Sequence, residues 1–312
     1  MNAQSAMIQA LRNRREIIVD VVDGWRVRAL ATTLNREWKE TARLIPGWHQ
    51  LFCLPAVPTR ELSSDGYEPT FAPSAPYVAR MWGGSSIDWE VDQNTSLPFV
   101  VRAGDSLQRT SFIGDIQLKE GKKSGPLLLM KVCHEYARQT DQQVLVKEST
   151  SMIYRTQPFS MSENVSQKKA SSRHQEHFEI VELGVGEWSQ RVPSSSVLLF
   201  RYSALTFNAH MIHYDQSYSN SEGFSQPLVH GPLQAQLLLD LVDRIEPNRQ
   251  VKHFSYRGKR EKWLFLSSDQ CDSAGTFGMW RRHRSSRQKL PQHTPPIDST
   301  LLKWNSNNGR QS

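Results

Sequence analysis

Residues 232–242 read Pro-Leu-Gln-Ala-Gln-Leu-Leu-Leu-Asp-Leu-Val, and they constrain the fold more than any other segment. Proline suits the first position of a helix, where its missing N–H has no partner to lose. The apolar residues after it fall on nearly every face of a helix, not on one stripe. A helix of that kind has to be covered on most sides. Strand signals follow at 251–256, 263–267 and 276–280. A covered helix ahead of a run of strands predicts a sheet wrapped around that helix.

A similar plan is visible earlier. From Ile17 to Leu44 the apolar spacing is helical, through Val21, Val22, Trp25, Val27, Leu30 and Leu34, and Pro46-Gly47 stops it. Residues 48–54 read as a strand, and 55–79, rich in Pro, Ser and Gly, as a long loop. Met81-Trp82-Gly83-Gly84 leads into a strand signal at 87–89. Three long alternating segments at 107–118, 127–136 and 144–154 predict an antiparallel meander, with 139–142 as a turn. Residues 156–177 are polar and without periodicity, a linker between two units, and 197–202 reads as a buried strand. The expected class is α+β: a double hot-dog, two antiparallel sheets each wrapped round a central helix. The expected units are 1–158, 159–280 and a basic, disordered tail at 281–312.

Charge bears on partners. The net charge is +7, but the tail from 281 to 312 holds seven Lys/Arg and one acid, so the rest of the chain is nearly neutral. Few aromatics interleave with those basic residues, which argues against nucleic-acid binding. No apolar run reaches the roughly 18 residues of a membrane helix, and no secretory signal opens the chain. The first 15 residues carry three arginines and no acid, fitting either a short mitochondrial presequence or a basic helix start. A mitochondrial or cytoplasmic, non-secreted protein is expected. Cys53, Cys133 and Cys271 are far apart and lack CxxC spacing, so neither a disulfide framework nor a zinc site is expected.

The chemistry gathers between residues 202 and 239. Asn208 and His213 are five residues apart. An imidazole can take and return a proton near neutral pH. An amide cannot, but it can hold a water through its oxygen or its NH2. Gly231 then opens the helix that continues from Pro232. Glycine lets a ligand approach closely, and a helix N-terminus offers free N–H groups and partial positive charge. An N–H aimed at a thioester carbonyl would stabilise an enolate. His210 and His230 read as structural neighbours of the pair, and Asp215 as a cap or orienting group for the turn.

These residues carry a resemblance. Tyr202, Leu205, Thr206, Asn208, Ile212 and His213, followed by Pro227-Leu228-Val229-His230-Gly231, resemble the MaoC-like hydratase motif. They are more similar still to the branch of mesaconyl-CoA hydratases and fungal hydroxyacyl-thioester dehydratases type 2. Arg80-Met81-Trp82-Gly83-Gly84 and residues 144–155 are similar to that branch's first half. The resemblance implies a double hot-dog with a non-catalytic first half and a catalytic second half. It implies a hydro-lyase acting on a 2-enoyl or 3-hydroxyacyl thioester of CoA or a carrier protein, in fatty acid or secondary metabolism. By resemblance His213 is the acid/base, Asn208 stands where most of the family has Asp, and the Gly231 N–H faces the carbonyl. His230, Pro232, Met211 and Arg257 are the expected substrate contacts, with Met211 where the branch usually has Arg. No cofactor or metal is implied, and a homodimer is allowed for. A closing apolar strand is expected after Trp280, where Arg281-Arg282-His283-Arg284 stands instead; an altered reading frame or a mis-spliced end would account for it.

Two rivals remain open on sequence: a hot-dog thioesterase, which would want a carboxylate on the central helix, where only Asp240 stands, and a catalytically degenerate partner protein.

Overall fold

The computed structural model describes residues 2–39, 43–95, 97–121, 125–156, 179–184, 187–192, 195–247, 250–257 and 276–281. The first half comprises helix α1 (Ala3–Arg12), strand β1 (Arg15–Val21), helix α2 (Gly24–Thr33) and strands β2 (Ala79–Trp89), β3 (Ser106–Gly121), β4 (Gly125–Arg138) and β5 (Val144–Arg155). The second comprises β6 (Glu179–Gly184), β7 (Glu187–Arg191), α3 (Ser196–Leu205), α4 (Gln216–Ser221), α5 (Gly231–Ile245), β8 (His253–Arg257) and β9 (Thr276–Arg281). The expected linker at 156–177 lies almost wholly outside the described residues, as do the strand at 263–267, Cys271 and the chain after Arg281.

The three long strands form as their alternation predicts. β1, β3, β4, β5 and β2 lie side by side in that order, and β8 of the second half adds to β2, with Gly84 opposite Arg257 and Asp88 opposite His253. β6, β7 and β9 form a second, three-stranded sheet. The architecture is the α+β double hot-dog.

Three local expectations are corrected. Residues 17–44 are not one helix: the chain makes β1 and then α2. Ile17, Ile18, Val19 and Val21 are β-branched and suit a strand, and their exposure alternates along β1. Asp23 restarts the chain as a helix by accepting from the Arg26 N–H at 2.8 Å. Residues 48–51 form a 3₁₀ turn, not a strand, after Gly47 at φ +89°. Residues 197–202 lie in helix α3, whose N-cap Ser195 accepts from the Leu198 N–H at 3.1 Å.

α5 is covered as expected, with Leu233, Ala235, Leu237, Leu239, Leu241 and Val242 all buried. Its two carboxylates are taken up by arginines. Asp240 accepts from Arg36 at 2.6 Å and Arg244 at 2.7 Å, and Asp243 pairs with Arg43 at 2.6 Å and with Arg36. α2, α3 and α5 share one core with Trp48, Phe52 and Phe254. The other face of the first sheet is covered by α1, through Leu11, and by Phe71 and Tyr77. The basic N-terminal segment is thus a helix packed into the fold. In the chain position that α5 holds in the second half, the first half has an irregular segment, 52–78, broken only by one short 3₁₀ turn. Among the described residues no helix is long and apolar enough to cross a membrane.

Candidate active site

The site begins where α3 ends. Phe207 takes a left-handed conformation (φ +50°), so the chain turns sharply out of the helix. Asn208 anchors the turn: its N–H donates to the Ser203 carbonyl at 2.9 Å, and its Oδ1 accepts from the His210 N–H at 3.0 Å. Met211–His213 then forms a 3₁₀ turn. Asp215 caps α4, accepting from the Tyr218 N–H at 2.8 Å.

The imidazole of His213 is held on one side. Its Nδ1 lies 2.8 Å from the Leu228 carbonyl oxygen. A carbonyl only accepts, so Nδ1 carries the proton and Nε2 keeps its lone pair. The backbone fixes that contact, because the Leu228 N–H donates to the Ile212 carbonyl at 2.8 Å. Burial pushes the His213 pKa down to about 3; the Leu228 contact opposes this, while His210 and Arg80 add to it. The resting ring is therefore neutral, with its lone pair on Nε2.

His230 stacks on His213, centroids 3.6 Å apart and planes at 19°. It is fully buried, with Nε2 2.8 Å from Ser203 Oγ and Tyr202 edge-on at 4.8 Å. Enclosed in this way, His230 packs flat against the ring of His213, and its Nδ1 has no hydrogen-bond partner among the described residues. Gly231 follows at the start of α5. A Cβ there would come within 2.5 Å of the Trp82 indole, so only glycine lets β2 of the first half approach the helix end. No side chain caps this helix among the described residues, and Pro232 has no N–H. The Gly231 N–H is thus the first donor at the positive end of α5.

The first half also reaches the site. Asp65 Oδ2 lies 2.6 Å from Arg80 Nη2 and 3.5 Å from His210 Nε2. The Asp65 carbonyl accepts from the Met211 N–H at 2.8 Å. Gly66 (φ +81°) lies so close to the Ala209 carbonyl that a Cβ would meet it at 2.1 Å. Arg80 stacks over Tyr67, 3.6 Å from the ring centroid. His210 stands edge-on to His213 at 5.6 Å.

Of the residues singled out from sequence, Asn208, His210 and His213 share one turn, and His213 stacks on His230, which leads into Gly231 and Pro232 at the start of α5. Met211 is half-buried and fixed by its backbone. Arg257 ends β8 opposite Gly84, and its side chain lies outside the described residues. Sequence reasoning missed Asp65, Arg80 as its partner, Trp82 as the ring facing Gly231, and Ser203. Asp65-Gly66 stood in a segment read only as loop; the dipeptide is a tight-turn signal, but its contact lies in the other half of the chain.

A second polar cluster lies in the first half. His49 Nε2 is 3.5 Å from Glu148 Oε2, and Glu148 accepts from Gln50 at 2.7 Å and Ser85 at 3.1 Å. A recess of about 40 Å³ adjoins His49, lined also by Arg43, Ile45, Trp89, Phe99 and Val251. Neither His213 nor Gly231 lines it, so it is separate from the site at α5.

Comparison with known proteins follows the same lines. Residues 47–263 match the family model described as hydroxyacyl-thioester dehydratase type 2. The chain is 33% identical over 219 residues to a mesaconyl-C(4)-CoA hydratase of Chloroflexus aurantiacus, covering 69% of this chain and 70% of that one. It is 25% identical over 231 residues to a mitochondrial hydroxyacyl-thioester dehydratase type 2 of Schizosaccharomyces pombe, covering 69% and 72%. Among solved structures, a MaoC-like dehydratase of Phytophthora capsici superposes with a TM-score of 0.53 at 13% identity, covering 89% of each chain. The HtdX protein of Mycobacterium tuberculosis superposes at 0.51 with 14% identity, over 81% of this chain and 85% of that one.

Proposed function

The chain belongs to the hydroxyacyl-thioester dehydratase type 2 family, and on that premise we propose how its residues divide the work of a hydro-lyase acting on acyl thioesters. The observation that carries the proposal is the one-sided grip on His213: Nδ1 bound to a backbone carbonyl, Nε2 free, the ring held neutral.

In the hydration direction Nε2 of His213 takes a proton from water. The water oxygen bonds to C3 of a 2-enoyl thioester, and the electron pair moves onto the thioester oxygen. The Gly231 N–H, at the positive end of α5, stabilises that enolate. The proton on Nε2 then passes to C2. Dehydration is the reverse. Asn208 has one oxygen lone pair committed to the turn, so it shapes the loop and offers its NH2 and remaining lone pair to the water. One imidazole does all the proton transfer, because the position that is a carboxylate in most of the wider family is an amide here.

The carried group is CoA or a carrier protein, with relatives named for mesaconyl-C(4)-CoA and for hydroxyacyl thioesters. A thioesterase reading loses its base: Asp240 is fully buried and held by Arg36 and Arg244. A mitochondrial or cytoplasmic setting accords with the S. pombe relative. Trp25 on α2 and Val197 and Phe200 on α3 are exposed apolar side chains on adjoining helices, which supports a homodimer.

The test is hydration of crotonyl-CoA and mesaconyl-CoA and dehydration of the 3-hydroxyacyl products. His213→Ala is expected to lose about 10²–10⁴ in kcat, the scale of general acid–base catalysis. Activity indifferent to His213 removes the mechanism. Free-thiol release without hydration would instead favour a thioesterase.

A further inference from the structure

The irregular segment 52–78 stands where a second long helix could have run, and it sends Asp65 and Gly66 across to the catalytic turn. Three contacts converge there. The Asp65 carbonyl accepts from the Met211 N–H at 2.8 Å, the Asp65 carboxylate is 3.5 Å from His210 Nε2, and Gly66 sits under the Ala209 carbonyl. Asp65 is itself fixed, since Oδ1 accepts from the Tyr67 N–H at 3.0 Å and Oδ2 takes Arg80 at 2.6 Å.

We propose that Asp65 is a positioning residue for the hydro-lyase reaction: delivered by the first half, it acts through His210 to hold the 209–213 turn and supplies the negative charge that Asn208 cannot. The proposal rests on the role given to His213 above. When His213 takes a proton, the nearest charges decide how easily that cation forms. Arg80 alone would oppose it; Asp65, paired to Arg80, cancels that opposition and faces the edge of His210, which in turn meets His213 at 5.6 Å. A neutral amide at 208 leaves the turn without an anion of its own, and the carboxylate 3.5 Å from His210 is the substitute. The active site is therefore composite, although the chemistry-bearing motif lies wholly in the second half.

The groups facing His210 are Asp65, Tyr67 and Arg80 from the first half, Tyr218 of α4, and His213. Glu222 lies beyond Tyr218. Asp65 is held well ionised, down to about 2: burial alone would raise it, and His210, Arg80 and the Tyr67 N–H outweigh that. His210 is lowered by burial and raised by Asp65. Removing the carboxylate should lower His210 further.

The test is a double-mutant cycle on the full chain with Asp65→Asn and His210→Gln, assayed for enoyl-CoA hydration, with His210 titrated by NMR in wild type and Asp65→Asn. Asp65→Asn is near-isosteric and keeps the carbonyl contact to Met211, so the fold survives. It should lower kcat by about 10- to 100-fold, the scale of a displaced catalytic group, with KM changed less than about threefold. Asp65→Glu, which keeps the charge, should recover part of the loss. In the His210→Gln background, Asp65→Asn should add little. The His210 pKa should fall in Asp65→Asn. Additive losses, a kcat within about twofold of wild type, or an unmoved His210 pKa overturns the proposal. A wild type without turnover counts against the hydro-lyase mechanism instead, and the His210 titration then still decides whether Asp65 governs that ring.

Discussion

Each half runs through a strand, a short helix and a 3₁₀ turn, β1, α2 and 48–51 in the first and β7, α3 and 211–213 in the second; the second alone then adds α4 and α5 before β8, the strand that pairs with β2. Each puts a histidine in that turn, His49 in one and His213 in the other. The surroundings differ. His49 points Nε2 at a buried carboxylate, Glu148, and is packed edge-on against Tyr136. His213 gives Nδ1 to a backbone carbonyl, and its Nε2 has no hydrogen-bond partner among the described residues. His49 Nε2 is buried and meets the acid only at 3.5 Å, with no hydrogen-bond partner among the described residues. A histidine gripped only from behind can exchange protons with a ligand. On the role proposed for His213, the partner of the ring, and not the ring's place in the fold, separates the two halves.

The sharpest way to break that contrast is to remove each ring. His213→Ala should lose about 10²–10⁴ in kcat, while His49→Ala should leave kcat within about threefold and lower stability by about 1–3 kcal/mol as Glu148 loses a polar neighbour. Parallel kinetics and thermal melts of the two variants check both numbers. Comparable losses of kcat would mean that the halves are not functionally distinct.

Gly231 tests the joint between the halves. Gly231→Ala puts a methyl group within 2.5 Å of the Trp82 indole, and neither a ring nor a helix start gives way easily. A loss of about 1–3 kcal/mol is expected, the usual cost of overpacking, with kcat falling because the N–H at the helix end shifts with the backbone. Trp82→Leu in the same chain should restore stability more fully than kcat. If it restores both equally, the N–H has no part in the chemistry.

How much of this was legible in advance follows from the range of the interactions. α5 could be read because its apolar residues leave no face for solvent, and β3 to β5 because long alternation is a local signal. The Asn208, His213 and Gly231 group stood out because its residue types lie close in sequence, and the structure stacks His213 on His230, the neighbour of Gly231. β1 was hidden inside a run whose apolar spacing also fits a helix; the consecutive Ile17, Ile18 and Val19 were the overlooked sign. α3 was mistaken for a strand because Val-Leu-Leu-Phe is a short apolar run that fits either state, and only the cap at Ser195 distinguishes them. Asp65 could not be read at all. Its role depends on a loop folding back onto a turn far along the chain, and no periodicity records that.

The smallest expected effect is also the most general. His134 in the first half is pushed down to about 4, chiefly by burial, and His213 in the second to about 3 by the same cause. Burial lowers His210 and His230 as well. Unfolded, each ring would titrate near 6.5. Below that pH the unfolded chain binds protons at these rings that the folded chain refuses, so stability should fall as pH drops from about 6.5 toward 4, by at most about 1.36 kcal/mol per unit for each ring. Glu148 acts later and in the same direction. Burial raises its carboxyl, but His49, His134 and Gln50 bring it below the usual range. Its contribution, present above the ordinary carboxylate range, is lost only as pH falls through that lower folded value. Urea melts between pH 7 and 4 should therefore slope downward in wild type. His134→Gln and His213→Gln should each remove part of the slope, and the double variant more than either, with the buried His230 and His210 keeping the remainder. A slope unchanged in His213→Gln would mean that the ring is already protonated in the folded protein, and the one-sided grip that distinguishes the second half would not be a grip on a base.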